Sequence, residues 1–450
     1  MSSVKYLFEP EHVALVGSSK RREKVGMTSP QLFKSVTYNM RKYFGGRIVS
    51  IDVDLGTSSK LGEEKPELAV IMLPPDLSLY QAEIFARAGV KALIMITGGY
   101  DNHQRKQLLG LKRDYGTRIL GPNTIMGVIN TANGLNTTFE KNTMPIGGKI
   151  AVISQSGGVG ACLLDWACYY NIGISKFAFV GDKIDVNDVD LLEYFNQDSK
   201  TRVICLYIEG IENGRDFIKT AKEIVKTKPI IALKGGITQE AVRRVLSHTS
   251  SIAGTDEVFD AALKKAGIIR TTDIEELLNA AIALSKQPPM KGNNVAIVSN
   301  VGGPAILAAD AVARSGLKLA RLSETTKKLI ETRYHGIDAT NPVDIIADAR
   351  EERYATVLRH VLSDPNVDGA LIINMLKSTF FEPKDALVIA KAAKGCHRKP
   401  IVDVPAGGED FNLVQKVLEK SNVPLYNLPE KAAKALKALR MYAKIIEKSA

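Results

Sequence analysis

Residues 149–167 read KIAVISQSGGVGACLLDWA. A short Ile/Val-rich run meets a turn of serines and glycines, and an apolar stretch of helical length follows. The stretch therefore reads strand, turn, helix. VALVGSS from Val13 and NVAIVSNVGGPAILAADAVARSG from Asn294 repeat the pattern. The three starts lie roughly 140 residues apart, about one α/β domain each. Between them LAVIMLP (68–74), ALIMI (92–96), VICLYIEG (203–210), IIALKGG (230–236), GALIIN (369–374) and PIVDVPAGG (400–408) alternate with charged helical stretches. Near-continuous Val/Ile/Leu strands separated by helices predict parallel sheets covered on both faces. Ligands of such sheets sit beyond the carboxyl ends of the strands, where the glycine-rich turns fall.

The fold class expected is α/β, with three consecutive Rossmann-like or flavodoxin-like domains at 1–145, 146–288 and 293–450. KQPPMKGNN (286–294) is the clearest linker, and EKNTMPIGG (140–148) a softer boundary. From Glu430 the tail EKAAKALKALRMYAKIIEK has apolar residues at helical spacing and reads as a docking helix. Apolar residues make up 45% of the chain, enough for a core in each domain. No apolar run approaches the ~20 residues of a membrane span, and the N-terminus lacks the features of a secretory leader, so a cytoplasmic protein is expected. The four cysteines show no CxxC pair and no metal-ligand spacing with the six histidines, and no metal is expected in this chain. The net charge of +11 suits an acidic or phosphate-rich ligand. Because lysines and arginines are spread along helices and aromatics are sparse, a solvated basic face is expected and no nucleic-acid partner.

A helix start after glycines leaves free N–H groups and the positive end of the dipole, and so attracts anions. Ser154-Gln155-Ser156-Gly157-Gly158 is one such turn. Ser299-Asn300-Val301-Gly302-Gly303-Pro304 is a second, with Pro304 suited to the first helical position. Glycines there either cradle an anion or simply let helix and strand pack closely. The first turn, Val16-Gly17-Ser18-Ser19, is not GxGxxG. Asp52 could meet a ribose hydroxyl, but it lies 35 residues after Gly17 rather than the ~20 of the nicotinamide pattern.

SHTSSIAG (247–254) sets His248 among small residues on a loop able to approach a ligand closely. Imidazole is a good nucleophile near neutral pH, and a phosphorus centre is one electrophile it attacks. Such a histidine needs its other ring nitrogen held. Glu209, at the end of VICLYI with Gly210 behind it, is the candidate orienting acid. His248 as a structural histidine and Glu209 as a turn acid are the plainer readings of each alone. Together with two anion-binding turns they meet the needs of a phosphohistidine site.

The segment LSHTSSIAGTDEVFDAALKKAGIIRTTDIEEL resembles the phosphohistidine loop of the ADP-forming acyl-CoA synthetases, relatives of succinyl-CoA synthetase. ISQSGGVGACLLDWA, GDKIDVNDVDLLEYF, LYIEGIENGRDF, LKGG, ILGPNTIMGVIN, VSNVGGPAILAADA and NPVD extend the match in the order of the family's α subunit. The resemblance implies a CoA-binding domain, a succinyl-CoA-ligase-like domain carrying the histidine, and a third ligase-like domain. It implies that acyl-CoA and phosphate give an acyl phosphate and CoA, that His248 takes the phosphoryl group, and that ADP receives it at a distant site. Glu209 would orient His248. Ser154, Ser156, Gly157, Gly158, Gly302 and Gly303 would hold the phosphate. CoA and substrate would lie over Gly17, Ser18, Ser19, Gly26, Pro74, Thr97, Gly98 and Asn123. ADP or ATP and Mg²⁺ would bind an ATP-grasp β subunit, in an α₂β₂ assembly.

This chain departs from the family pattern in places. SHTSS carries Ser250 in place of glycine, and GPNT carries Thr124 in place of cysteine. IDVD sets Asp52 and Asp54 where CoA phosphates would be repelled. A CoA-sensing protein of the same fold without turnover is the alternative function, and an NAD-dependent oxidoreductase using Asp52 a more distant one.

Overall fold

The run from Ile150 to Ser154 is buried throughout and forms the inner part of a strand, Gly147–Ser154, between two parallel neighbours. In this computed structural model the described residues are 3–20, 29–55, 65–238, 240–242, 255–376, 380, 382–395, 398–418 and 421–449. They carry three sheets, which confirms the α/β expectation. Contacts divide the chain into two compact units, Met1–Thr271 and Thr272–Ala450.

The first unit opens with an all-parallel sheet ordered β2-β1-β3-β4-β5: β1 (His12–Gly17), β2 (Arg47–Asp52), β3 (Leu68–Ile71), β4 (Ala92–Met95) and β5 (Arg118–Leu120). Helices α1 (Ser29–Tyr43), α2 (Pro75–Arg87) and α3 (Asn102–Tyr115) connect its strands. Ala14, Val16, Ile51, Ile71 and Met95 pack with Phe85 and Leu108, all fully or nearly fully buried. Each large apolar side chain so buried contributes roughly 1.5–3 kcal/mol, which is what orders these short strands.

The second sheet of this unit is ordered β12-β11-β10-β8-β9-β6-β7. Its strands are β6 (Val128–Asn130), β7 (Leu135–Asn136), β8 (Gly147–Ser154), β9 (Ile174–Phe179), β10 (Val203–Ile208), β11 (Ile230–Lys234) and β12 (Ile269–Thr271). From β12 to β9 the pairing is parallel, while β6 and β7 add an antiparallel edge. Helices α4 (Gly157–Tyr169), α5 (Asp188–Gln197), α6 (Gly214–Ile224) and α7 (Asp256–Ala266) accompany it.

The second unit begins with α8 (Ile274–Lys286). Its sheet is parallel, ordered β14-β13-β16-β17, with β15 also beside β13. The strands are β13 (Asn294–Ser299), β14 (Lys318–Leu319), β15 (Val343–Asp344), β16 (Gly369–Asn374) and β17 (Ile401–Pro405). Helices α9 (Gly302–Arg314), α10 (Glu324–Arg333), α11 (Glu351–Ser363), α12 (Leu387–Gly395), α13 (Gly408–Leu418) and α14 (Pro429–Ser449) surround it. The docking helix expected from Glu430 is α14, which lays Ala432, Leu436, Leu439 and Ala443 against α8 and α9.

Candidate functional site

Strand β8 ends at Ser154, and the chain turns into α4 through Gln155 and Ser156. Ser156 has extended backbone and caps the helix, its Oγ accepting from Val159 N–H at 3.3 Å. That role leaves the Ser156 hydroxyl hydrogen available to an incoming acceptor. Ser154 is buried and donates its hydroxyl to the Ser156 carbonyl at 2.8 Å. Gly160 lies against the Phe179 ring, where any Cβ would overlap it. Gly158 differs: a Cβ there would meet nothing within 4 Å among the described residues. Close packing therefore explains Gly160, whereas no described neighbour accounts for Gly158.

Gln155 ties this helix start to the end of β10. Its Oε1 accepts from Glu209 N–H at 2.6 Å and Gly210 N–H at 3.0 Å, and its Nε2 donates to the Gly210 carbonyl at 2.7 Å. A longer contact reaches Asp188 at 3.3 Å. The buried Lys183 adds a second tie, to Asp188 at 2.8 Å and to the same Gly210 carbonyl at 3.1 Å. Asp188 Oδ1 is buried without a hydrogen bond. Glu209, the sequence-predicted acid, is half-buried and accepts from the Tyr207 hydroxyl at 3.4 Å. Burial and the neighbouring Glu209 carboxylate push the Tyr207 phenol up to about 12. At the end of β11, burial lowers the Lys234 ammonium from its ordinary range against the opposing pull of Asp256 and Glu209. His248, with Ser250 on the same loop, lies outside the described residues, as does Gly26.

A second group forms at the carboxyl ends of β3, β4 and β5. Thr97 Oγ1 donates to the Leu73 carbonyl, next to Pro74, at 2.5 Å. Asn123 has φ +63 and donates to Asp182 at 3.2 Å, and Arg105 pairs with Asp182 at 2.5 Å. A Cβ on Gly98 would stand 2.9 Å from Asn123 Oδ1, so any side chain there would push the Asn123 amide aside. Pro74, Thr97, Gly98 and Asn123 thus share one place, and Arg105 and Asp182 join them unforeseen. Thr124 turns inward and donates to the Phe179 carbonyl.

At the first turn Gly17 packs on Phe33, while Ser18 and Ser19 bond to Asp54 and Asp52 respectively. In the second unit, Gly302 and Gly303 open α9. A Cβ on Gly303 would meet nothing within 4 Å among the described residues. Pro304 lies at the third helical position rather than the expected first, because α9 starts at Gly302; its missing N–H still falls among those the helix leaves unused. Asn300 repeats what Gln155 does. Its amide accepts from Met375 N–H at 2.9 Å and donates to the Met375 carbonyl at 3.2 Å, just past the neighbouring parallel strand β16. Gln155 was legible only as the residue between two motif serines, and Asn300 only by analogy with it. Asp182 sits in GDKIDVND, already part of the quoted resemblance. Among the described residues no three His, Cys, Asp or Glu side chains converge as a metal site would require. No helix among them is long and apolar enough to cross a membrane.

Residues 147–284 match the family model described as a succinyl-CoA ligase like flavodoxin domain. With the glycine-rich strand-to-helix turn that opens α4, this places a domain of the succinyl-CoA-ligase class within the chain. The α subunit of ADP-forming acetate–CoA ligase II of Pyrococcus furiosus is 37% identical, the alignment covering 98% of each chain. ADP-forming acetate–CoA ligase I of Archaeoglobus fulgidus is 33% identical over 98% of this chain and 64% of its own. The solved dinucleotide-forming acetyl-coenzyme A synthetase 1 of Ca. Korarchaeum cryptofilum, in complex with phosphate and ADP, superposes with a TM-score of 0.88 at 31% identity, covering 100% of this chain and 99% of that one. The chain belongs to the ADP-forming acyl-CoA synthetases, as an α subunit.

Proposed function

We propose that the chain is the phosphoryl-relay subunit of an acid–CoA ligase that reversibly converts acyl-CoA, phosphate and ADP into acid, CoA and ATP. A phosphate oxygen attacks the thioester carbonyl, the C–S bond breaks, and CoA leaves with an acyl phosphate behind. A ring nitrogen of His248 then attacks phosphorus, and the acid leaves as carboxylate when the acyl P–O bond breaks. Phospho-His248 hands its phosphoryl group to ADP. Glu209 fixes the imidazole tautomer and stabilises the charge that develops on it. Ser156, Gly157 and Gly158 hold the phosphate oxygens at the start of α4, while Ser154, expected to join them, is buried with its hydroxyl spent on the Ser156 carbonyl and instead shapes the turn; Gly302 and Gly303 offer a like cradle at the start of α9.

The observation that carries this reading is the Gln155 amide, which fastens the Glu209 backbone to the Ser156-capped helix start. An acid and an anion cradle held together by one side chain are the fixed half of a phosphohistidine site. The open space over Gly158 is room for the anion. We place the thioester end of CoA beside Pro74, Thr97, Gly98 and Asn123, and the rest of it over residues 1–145, with 146–288 as the histidine-bearing domain and 293–450 as the third.

Nucleotide and Mg²⁺ belong, in this proposal, to an ATP-grasp β subunit in an α₂β₂ assembly. The described residues of this chain do not offer a metal set, and no step here runs through one. The three described cysteines are free thiols, which suits the reducing cytoplasm. The test is labelling with radioactive phosphate and acetyl-CoA in the presence of the partner subunit. Acid-labile, alkali-stable label that is absent from His248→Ala is expected. Label that persists in His248→Ala, or wild-type protein that turns over without labelling, would overturn the reading.

A further inference from the structure

Three lysines are buried among the described residues: Lys176, Lys183 and Lys234. A lysine is rarely buried unless a counter-charge meets it. Lys176 pairs with Asp198 at 2.6 Å, and Lys183 with Asp188 at 2.8 Å. Lys234 has no carboxylate within ion-pair distance among the described residues. Its ammonium donates to the carbonyls of its own turn, to Gly235 and, at 3.3 Å, to Gly236, and stands 5.2 Å from the centre of the Phe259 ring. Asp256, which pulls on it from a distance, is already taken by Arg270 at 2.6 Å, and Arg270 reaches Asp260 at 3.3 Å as well. An ammonium has three donors, so two carbonyls leave one unspent. A buried charge in this state is strongly destabilising unless something else supplies the anion.

The place of Lys234 says which anion. It closes β11, at the same end of the sheet as Glu209, and parallel pairing sets it opposite Ile208, the residue before that acid. The turn after it is fastened to the same strand end. Gly235 N–H donates to the Ile208 carbonyl at 2.9 Å, and a Cβ on Gly235 would overlap the Tyr207 hydroxyl, which itself donates to Glu209. The cation is therefore held one strand away from the acid, at the end of the sheet where ligands of such folds bind.

We propose that Lys234 is the cation of the phosphoryl-transfer site, its unspent N–H donating to a non-bridging oxygen of the phosphoryl group. The proposal rests on the reading of Glu209 and the α4 helix start as the fixed half of a phosphohistidine site. The helix start offers N–H dipoles, and Lys183, beside Gly210, is neutralised by Asp188. Lys234 adds the full positive charge that those groups lack. No bond to it is made or broken; it acts by charge on the oxygens of the group in transit.

The test is phosphoenzyme labelling from acetyl-CoA at varied concentrations of radioactive phosphate, with the partner subunit present, in wild type, Lys234→Gln and Lys234→Arg. Lys234→Gln keeps a donor for the glycine carbonyls and removes the charge, whereas Lys234→Arg keeps the charge. Loss of one charge-assisted contact should raise the half-saturating phosphate concentration about tenfold to a hundredfold in Lys234→Gln, with CoA affinity unchanged. Lys234→Arg should recover most of that loss. If thermal melting shows that Lys234→Gln does not fold, Lys234→Met, which fills similar space without charge, takes its place. Half-saturation within threefold of wild type in the uncharged variant, an equal rise in Lys234→Arg, or a matching loss of CoA affinity overturns the role of Lys234 and leaves the phosphohistidine reading standing. Wild type that turns over without labelling overturns that reading, and the role of Lys234 with it.

Discussion

Replacing Gln155 by alanine removes one side chain and three short hydrogen bonds: those from Glu209 N–H at 2.6 Å and Gly210 N–H at 3.0 Å, and that to the Gly210 carbonyl at 2.7 Å. A typical net contribution is ~0.5–1.5 kcal/mol each, and the groups left behind are half-buried or buried. The contact with Asp188, at 3.3 Å, adds little. Shared partners make the sum less than additive, so about 2–3 kcal/mol should separate the clasped Glu209 loop from the released one. If only the clasped loop presents Glu209 to the histidine, each 1.4 kcal/mol lowers the working fraction tenfold. The rate should then fall ~30–150-fold. Lys183 keeps its own bond to the Gly210 carbonyl at 3.1 Å, which favours the lower end. The assay is rapid-quench measurement of phosphoenzyme formation from acetyl-CoA and labelled phosphate, with CoA affinity measured in parallel. Slower labelling at unchanged CoA affinity is expected, because the hydrogen bonds of Gln155 go to Glu209, Gly210 and Asp188 and not to Thr97, Gly98 or Asn123. Labelling within threefold of wild type would refute the positioning argument, and an equal loss of CoA affinity would mean that the variant is misfolded.

Gly158→Ala should fold normally and label slowly, since its methyl group meets open space, whereas Gly160→Ala should lose roughly 1–3 kcal/mol of stability through overlap with Phe179; paired thermal melts and labelling rates separate the two. Gly98→Ala should weaken acyl-CoA binding by pressing on Asn123, read as a raised KM, and an unchanged KM would remove Gly98 from the substrate site. Asp403 is fully buried, and burial pushes its carboxyl up to about 8, although Asn374 donates to it at 2.6 Å. The remaining Asp403 and Asn374 oxygens both lack partners, and a proton on Asp403 would join them. The folded state therefore holds more protons than the unfolded one between the ordinary carboxylate range, about 4, and about 8. Stability from this group is full below pH ~4 and declines as pH rises toward 8, by at most ~1.4 kcal/mol per unit. Asp403→Asn, whose amide keeps both bonds, should flatten the pH dependence of melting between pH 5 and 8; a slope equal to that of wild type would mean that Asp403 is ionised in the fold.

The sheets were readable because their strands are buried on both faces, so that IAVIS, LAVIM and GALIIN need no alternation to announce themselves. Glu209 stood out as an acid at the end of an apolar strand. Gln155 and Asn300 did not, because an uncharged amide in a turn carries no sign of which backbone it will hold. Its partners lie 54 and 75 residues away and are set only by strand order. Asp52 and Asp54 were legible as a departure from an anion site. That they hold the turn's own N–H groups depends on side-chain direction at the end of β2, which periodicity does not encode. The antiparallel edge of β6 and β7 escaped notice because strands of three and two residues fall below any periodic signal.

The two amide clasps bear on how the helix starts work. In each unit the central strand ends in a buried serine, the next residue is an amide, and that amide grips the backbone just past the neighbouring parallel strand. A glycine-rich turn alone would be soft, since glycine loses more backbone freedom on ordering than any other residue. Fastening the residue before the glycines to a second strand end removes that freedom before an anion arrives. The N–H groups of the helix start are then aimed in advance, and binding need not order them. Each unit builds this rigidity from its own strands. In the proposed relay the phosphoryl carrier needs fixed points to meet, and an amide that spends both its donor and its acceptor on neighbouring backbone would provide one without adding a charge to compete for the phosphate.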